Sequence, residues 1–259
     1  MRFNREGRQV DNGGGFLKNT QIIILGVCIA AATIASSVIL SGGFLKVMKF
    51  TREQISVTGS ATKEIRSDYI VWTGTVERRE ADLKTAYKGL AEDMARVKAY
   101  LASRGVNESE VNVSQVVTST IYKKNEKGND TNDIQGYTLS QNVEIRSKDI
   151  DRVTTVSRQS TELIDQGVHL TSGAPEYFYT KLDELKIEML AKATDNAKQR
   201  AESMAKAAGN RIGFMRSARM GVFQITPATS TDVSDWGMND TTSLDKKVMA
   251  VVTVSFAIQ

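Results

Sequence analysis

Cysteine is absent from this sequence after Cys28, and histidine occurs once, as His169. A single thiol forms no internal disulfide, so thiol and disulfide chemistry are excluded from everything downstream of it. That fits an oxidising compartment without proving one. A metal site at His169 would have to be completed by carboxylates alone; a structural histidine is the expected role, with no metal and no cofactor. Net charge is missing from most of the chain as well. Of 34 Lys/Arg and 30 Asp/Glu, six and two fall in residues 1–49, so 28 of each remain in residues 50–259. The formal +4 and the pI near 9.0 therefore report the opening segment. No nucleic acid is expected as a partner.

What is present is a run without charge, Ile22 to Ser41, IIILGVCIAAATIASSVILS. Twenty residues at helical rise cover about 30 Å, the thickness of a bilayer's hydrocarbon core. Three readings compete for it. A cleaved signal would use Ala35-Ser36-Ser37, yet the run continues through Val38, Ile39 and Leu40. A lipoprotein signal would use Cys28 after Leu25-Gly26-Val27, but Val27 is bulky and the apolar lead-in short. A retained single-pass anchor suits the length, with residues 21–42 as the span, and is the expectation. A soluble core helix would show a polar face, which this run lacks. Arg2, Arg5, Arg8 and Lys18 precede the run, against Lys46, Lys49 and Arg52 after it. This weak bias favours a cytoplasmic N-terminus and an extracytoplasmic C-terminal domain. Residues 1–20, with Gly13-Gly14-Gly15, read as a disordered tail, and residues 43–52 as a neck after a helix ended by Gly42-Gly43.

From residue 53 onward the elements alternate. Gln54 to Thr58 and Ile65 to Arg78 read as strands separated by Gly59-Ser60, with Ile70, Trp72 and Val76 on one face. Glu80 to Arg104 reads as a helix whose stripe is Leu83, Tyr87, Leu90, Met94, Val97 and Leu101, ended by Gly105. A strand from Val111 to Ile121, a polar loop 123–133 and a strand through Tyr137, Leu139, Val143 and Ile145 form an antiparallel hairpin. Asp149 opens a helix to about Gln166, with Ile150, Val153, Val156 and Leu163 inward. Val168 to Tyr179 reads as a strand weakened by Gly173 and Pro175. The helix Leu182 to Ala208 has a buried face of Leu182, Leu185, Met189, Ala193, Ala197, Ala201, Met204 and Ala208, small enough to lie close to a sheet. Gly209 ends it. Arg211 to Phe223 is a strand, Gln224 to Lys247 a polar loop, and Val248 to Ile258 the last strand. The order predicts an α+β fold of duplicated βαββ units, helices packed on antiparallel or mixed sheet, preceded by one transmembrane helix.

Ile55-Ser56-Val57-Thr58-Gly59-Ser60-Ala61, Asp68, Gly136-Tyr137 with Gln141, the run Ala191 to Lys198 continuing through Arg200-Ala201-Glu202 to Gly209, and the ending Val252, Val254, Phe256 together resemble a SIMPL domain over residues 53–259. The resemblance implies a bacterial periplasmic or envelope protein. Some members are linked to oxidative-stress defence, one forms a channel-like ring, and the eukaryotic founder is a kinase-associated signalling partner. It implies no catalytic residues.

Chemical candidates are few. Ser60-Ala61-Thr62-Lys63 matches a Ser-x-x-Lys motif and Ser67-Asp68-Tyr69 follows, but in strand-like sequence and without Lys-Thr-Gly, so coincidence is the better reading. Glu92-Asp93 and Asp183-Glu184 read as solvated pairs on exposed helix faces. Trp236, isolated in a polar loop, is either a partner anchor or packed on its own domain. On the anchor, Gly26, Ala30, Thr33 and Ser37 form a small-residue stripe suited to helix association. Three functions follow. The first is a self-assembling envelope module, a homo-oligomer with a structural, channel-like or stress-defence role. The second is a signalling adaptor binding an envelope protein partner. A cell-wall hydrolase is the weakest, for lack of a nucleophile–base pair.

Overall fold

The structure, a computed structural model, describes the backbone of residues 14–259 and the side chains of residues 23–44 and 53–259. Helix α1, Gly14–Arg52, carries the apolar run. It includes residues 14–20 of the expected tail, whose first 13 residues lie outside the described ones, and all of the expected neck. Gly42 and Gly43 do not stop it. A glycine in a helix costs only about 1 kcal/mol, and no proline or left-handed cap follows to end the propagation. The stretch Ile23–Phe44 is long and apolar enough to cross a membrane.

Beyond α1 lie strands β1 (Gln54–Arg66) and β2 (Tyr69–Glu80), then helix α2 (Leu83–Ser103). Strands β3 (Val111–Val113), β4 (Val117–Lys124) and β5 (Asp130–Ser147) follow. Helices α3 (Ile150–Gln159) and α4 (Glu162–Asp165) lead to strands β6 (Leu170–Ser172) and β7 (Glu176–Phe178). Helix α5 (Leu182–Ala207) precedes β8 (Ile212–Met220), β9 (Gln224–Pro227), β10 (Met238–Asn239) and β11 (Asp245–Ile258). The class is α+β, with two sheets.

In one sheet β2 lies between β5 and the short strands β6 and β7, and β5 carries β3 and β4 on its far side. In the other, β11 lies between β1 and the pair β8 and β9, with β10 beyond β9. The repeat of element order is therefore spatially exchanged. The strand preceding α5 joins the first sheet, while β1, from before the first repeat, completes the second by pairing with β11 from Gln54↔Ala257 to Arg66↔Asp245. Each sheet buries one face. Ile70, Trp72, Val76, Val143 and Ile145 meet Leu90, Met94, Val97 and Leu101 of α2 and Val153 and Val156 of α3. Val57, Val248, Ala250, Val252, Val254 and Phe256 meet α5.

The differences from expectation have local causes. Gly59 does not break β1: a Cβ there would sit 2.2 Å from Ala193 O and 2.7 Å from the Ala197 Cβ. The glycine lets α5 cross the strand, and the break falls at Ser67-Asp68 instead. Leu83 and Tyr87 are exposed on the first turns of α2, which begins after the N-cap Asp82. Ser114 divides the expected strand into β3 and β4 by bonding with Asn142. The expected loop 123–133 is a tight turn held by the Asn125 side chain. The third helix breaks at buried Ser160, whose hydroxyl bonds back to Ser157 O, and Gly173 to Pro175 split the following strand. On α5, Ala205 is buried while Met204 and Ala208 are exposed. The expected polar loop holds β9 and β10. Gly105 and Gly209, at φ +77° and +76°, end their helices as read.

Candidate functional site

The Ser-x-x-Lys match fails on geometry. Ser60 and Lys63 are three apart on one strand and so project from opposite faces. Lys63 turns to α5 and pairs with Glu188 at 2.8 Å, and the Ser60 N–H is held by Asn196. His169 is exposed rather than buried in the core, and its backbone carbonyl accepts from Glu77. Among the described residues no group of His, Cys, Asp or Glu has the arrangement of a metal site. Asp93 corrects the expectation of a solvated carboxylate. It is 1% exposed, 3.5 Å from Arg78 and 3.3 Å from Arg96. Gly89 makes room, since a Cβ there would approach Arg78 Nε to 2.8 Å. Asp183, by contrast, is exposed as read, with Lys186 nearby.

The junction of the two sheets contains a feature the sequence reading missed. Lys246 is 3% exposed at the start of β11. Its ammonium donates to the carbonyl of Tyr177, on β7 of the other sheet, and to that of Asp240. Burial pushes its pKa below the ordinary lysine value, and the nearby Asp240 charge opposes the shift. Burial raises the Asp240 carboxyl, but hydrogen bonds from Thr242 outweigh it and leave the group below its usual range. A cavity of about 70 Å³ beside them is lined by Ile65, Tyr179 and Leu182 among others. Asp68 completes the seam, accepting from the N–H and hydroxyl of Thr180. A signal existed: Lys246 is in phase with Val248, Ala250 and Val252, hence on the buried face by period two. Its neighbours are carbonyls, which makes it a stitch between sheets.

Trp236 is 95% exposed, so it does not pack on its own domain. Nor is its turn slack. Gln224, buried on β9, donates its amide to Ser234 O and accepts from Ser234 N. Gly237 N bonds back to Ser234 O, and Gly237 takes φ +84°. Immediately after, β10 pairs with β9. The indole is thus held out of its own domain on a turn clamped at both ends.

On the anchor, Gly26 has nothing within 4 Å of where a Cβ would stand. The Thr33 hydroxyl bonds to Ala30 O and that of Ser37 to Thr33 O. Both hydroxyls are thus satisfied within the helix, and the line Gly26, Ala30, Thr33, Ser37 stays low in profile.

A family model described as SIMPL, a protein of unknown function (DUF541), matches residues 55–256. The chain belongs to the SIMPL family. No curated protein matches it. Family and N-terminal apolar helix together fit a membrane-anchored envelope protein.

Proposed function

We propose that this chain is a single-pass envelope protein that works by non-covalent contact rather than catalysis, and that its copies associate. Trp236, presented on a clamped turn while Trp72 is buried, is the observation that carries this reading. The anchor is retained in the cytoplasmic membrane, N-terminus inside, and residues 53–259 lie outside, free of metal or cofactor. The role is structural, channel-like or in stress defence. Association through the anchor uses Gly26, Ala30, Thr33 and Ser37, because small side chains let helices approach where lipid gives no hydrophobic drive. Cross-linking in membranes tests this: discrete species above the monomer are expected, weakened by Gly26→Leu with Ala30→Leu. A monomer throughout would overturn self-association. The second reading, an adaptor binding a different envelope protein through Trp236, would then lead.

A further inference from the structure

We infer that the Trp236 turn of one copy docks on strand β8 of a second copy. This rests on the self-association proposed above and names its surfaces in the domain. The chain divides its charges between two adjoining stretches. From Gln224 to Asp245 there are four aspartates and no lysine or arginine; from Arg211 to Met220 there are three arginines and no acid. Within the chain Asp245 lies beside Arg66, Asp240 accepts from Thr242, and Asp232 accepts from the Ser230 hydroxyl. Asp232 and Asp235 precede Trp236 on the exposed turn and have no ion pair among the described residues. Arg219 on β8 and Arg211 just before it are exposed and likewise have no ion pair among the described residues.

The apolar components match in the same way. Val233 and Trp236 stand out from the turn, and Met215 and Met220 stand out from β8 on the face opposite Arg219, so the docked turn straddles the edge of β8 that does not pair with β11. Thioether sulfur packs well against an aromatic ring, and a guanidinium packs over an indole face. One chain cannot make this contact with itself as folded, since Trp236 at 95% exposure touches almost nothing. A lipid surface fits less well, because anionic headgroups repel a turn bearing Asp232 and Asp235. Patches of opposite character on one protomer are what a second copy needs, each copy offering a turn and receiving one.

The chain reports on this itself. It has two tryptophans, and Trp72 is 1% exposed, so acrylamide-quenchable emission belongs to Trp236. The full-length protein in mild detergent is titrated from dilute to concentrated, with parallel cross-linking. Expected is a loss of quenching as the oligomer forms, reversed by added salt. Asp235→Arg alone and Arg219→Glu alone should each keep Trp236 quenchable. Mixing the two variants should restore protection, which shows that both remain folded. If the protein is oligomeric while Trp236 stays quenchable, or if the mixture regains no protection, this docking is overturned and association through the anchor stands. If cross-linking finds only monomer, self-association itself is overturned.

Discussion

Lys246 and Tyr177 join the two sheets: the buried ammonium at the start of β11 donates to the Tyr177 carbonyl of β7 at 2.6 Å. The same ammonium reaches the Asp240 carbonyl, so one side chain holds β7, β11 and the segment after β10 together. Lys246→Met keeps the stem but leaves two carbonyls without their donor. A loss of about 1–3 kcal/mol is expected, read as a lower urea midpoint for residues 53–259. An unchanged midpoint would mean that the seam is held elsewhere.

Gly59 is predicted to be intolerant despite lying mid-strand. Gly59→Ala places a methyl 2.2 Å from Ala193 O and 2.4 Å from Ala197 N, both backbone atoms of α5. Strand or helix must shift, at about 1–3 kcal/mol or more. Thermal unfolding should show a clear drop for Gly59→Ala and little for Ala61→Ser on the same strand.

The edge of β1 is occupied by α5 near its middle. Arg200 donates to Thr58 O at 2.8 Å and Asn196 accepts from Ser60 N, occupying edge groups that would otherwise pair with a neighbouring strand. Asn196→Ala with Arg200→Ala should therefore make residues 53–259 associate more at a given concentration, by light scattering. Less association would show that the two side chains serve contact rather than prevent it.

Acid sensitivity should be traceable to Glu110. Burial opposes its ionisation, but hydrogen bonds from Ser147 and Asn107 and the Arg152 charge outweigh it, holding the carboxyl below its usual 4.5. A depressed folded value stabilises the fold fully above about pH 4.5, and this contribution fades as pH falls through the lower folded value. Glu110→Gln should lower stability at neutral pH and flatten the acid limb of the urea midpoint against pH.

The fold class could be read from the chain because each packed face repeats at its own period. The even residues Val248 to Phe256 and the three- and four-residue steps of α2 needed no tertiary information. The exchange of strands between repeats was not legible, because pairing between residues nearly two hundred apart leaves no local trace. Local readings failed where a residue serves a distant partner: Gly59 makes room for α5 instead of ending β1, and Asp93, read as solvated, answers Arg78 across the helix–sheet contact. For the candidate site, the sequence marked Trp236 as isolated, but its exposure depends on the grip of buried Gln224 on Ser234, ten residues away. Lys246 was legible in principle, as a charge in phase with an apolar face.

On the proposed reading this protein acts through contact at Trp236. The most direct measurement replaces Trp236 with a photo-cross-linking amino acid in the full chain and irradiates intact membranes, with exposed Thr62 on β1 as the control. A discrete adduct from position 236, with none from position 62, is the predicted result. Irradiation that leaves only monomer from position 236 would contradict it.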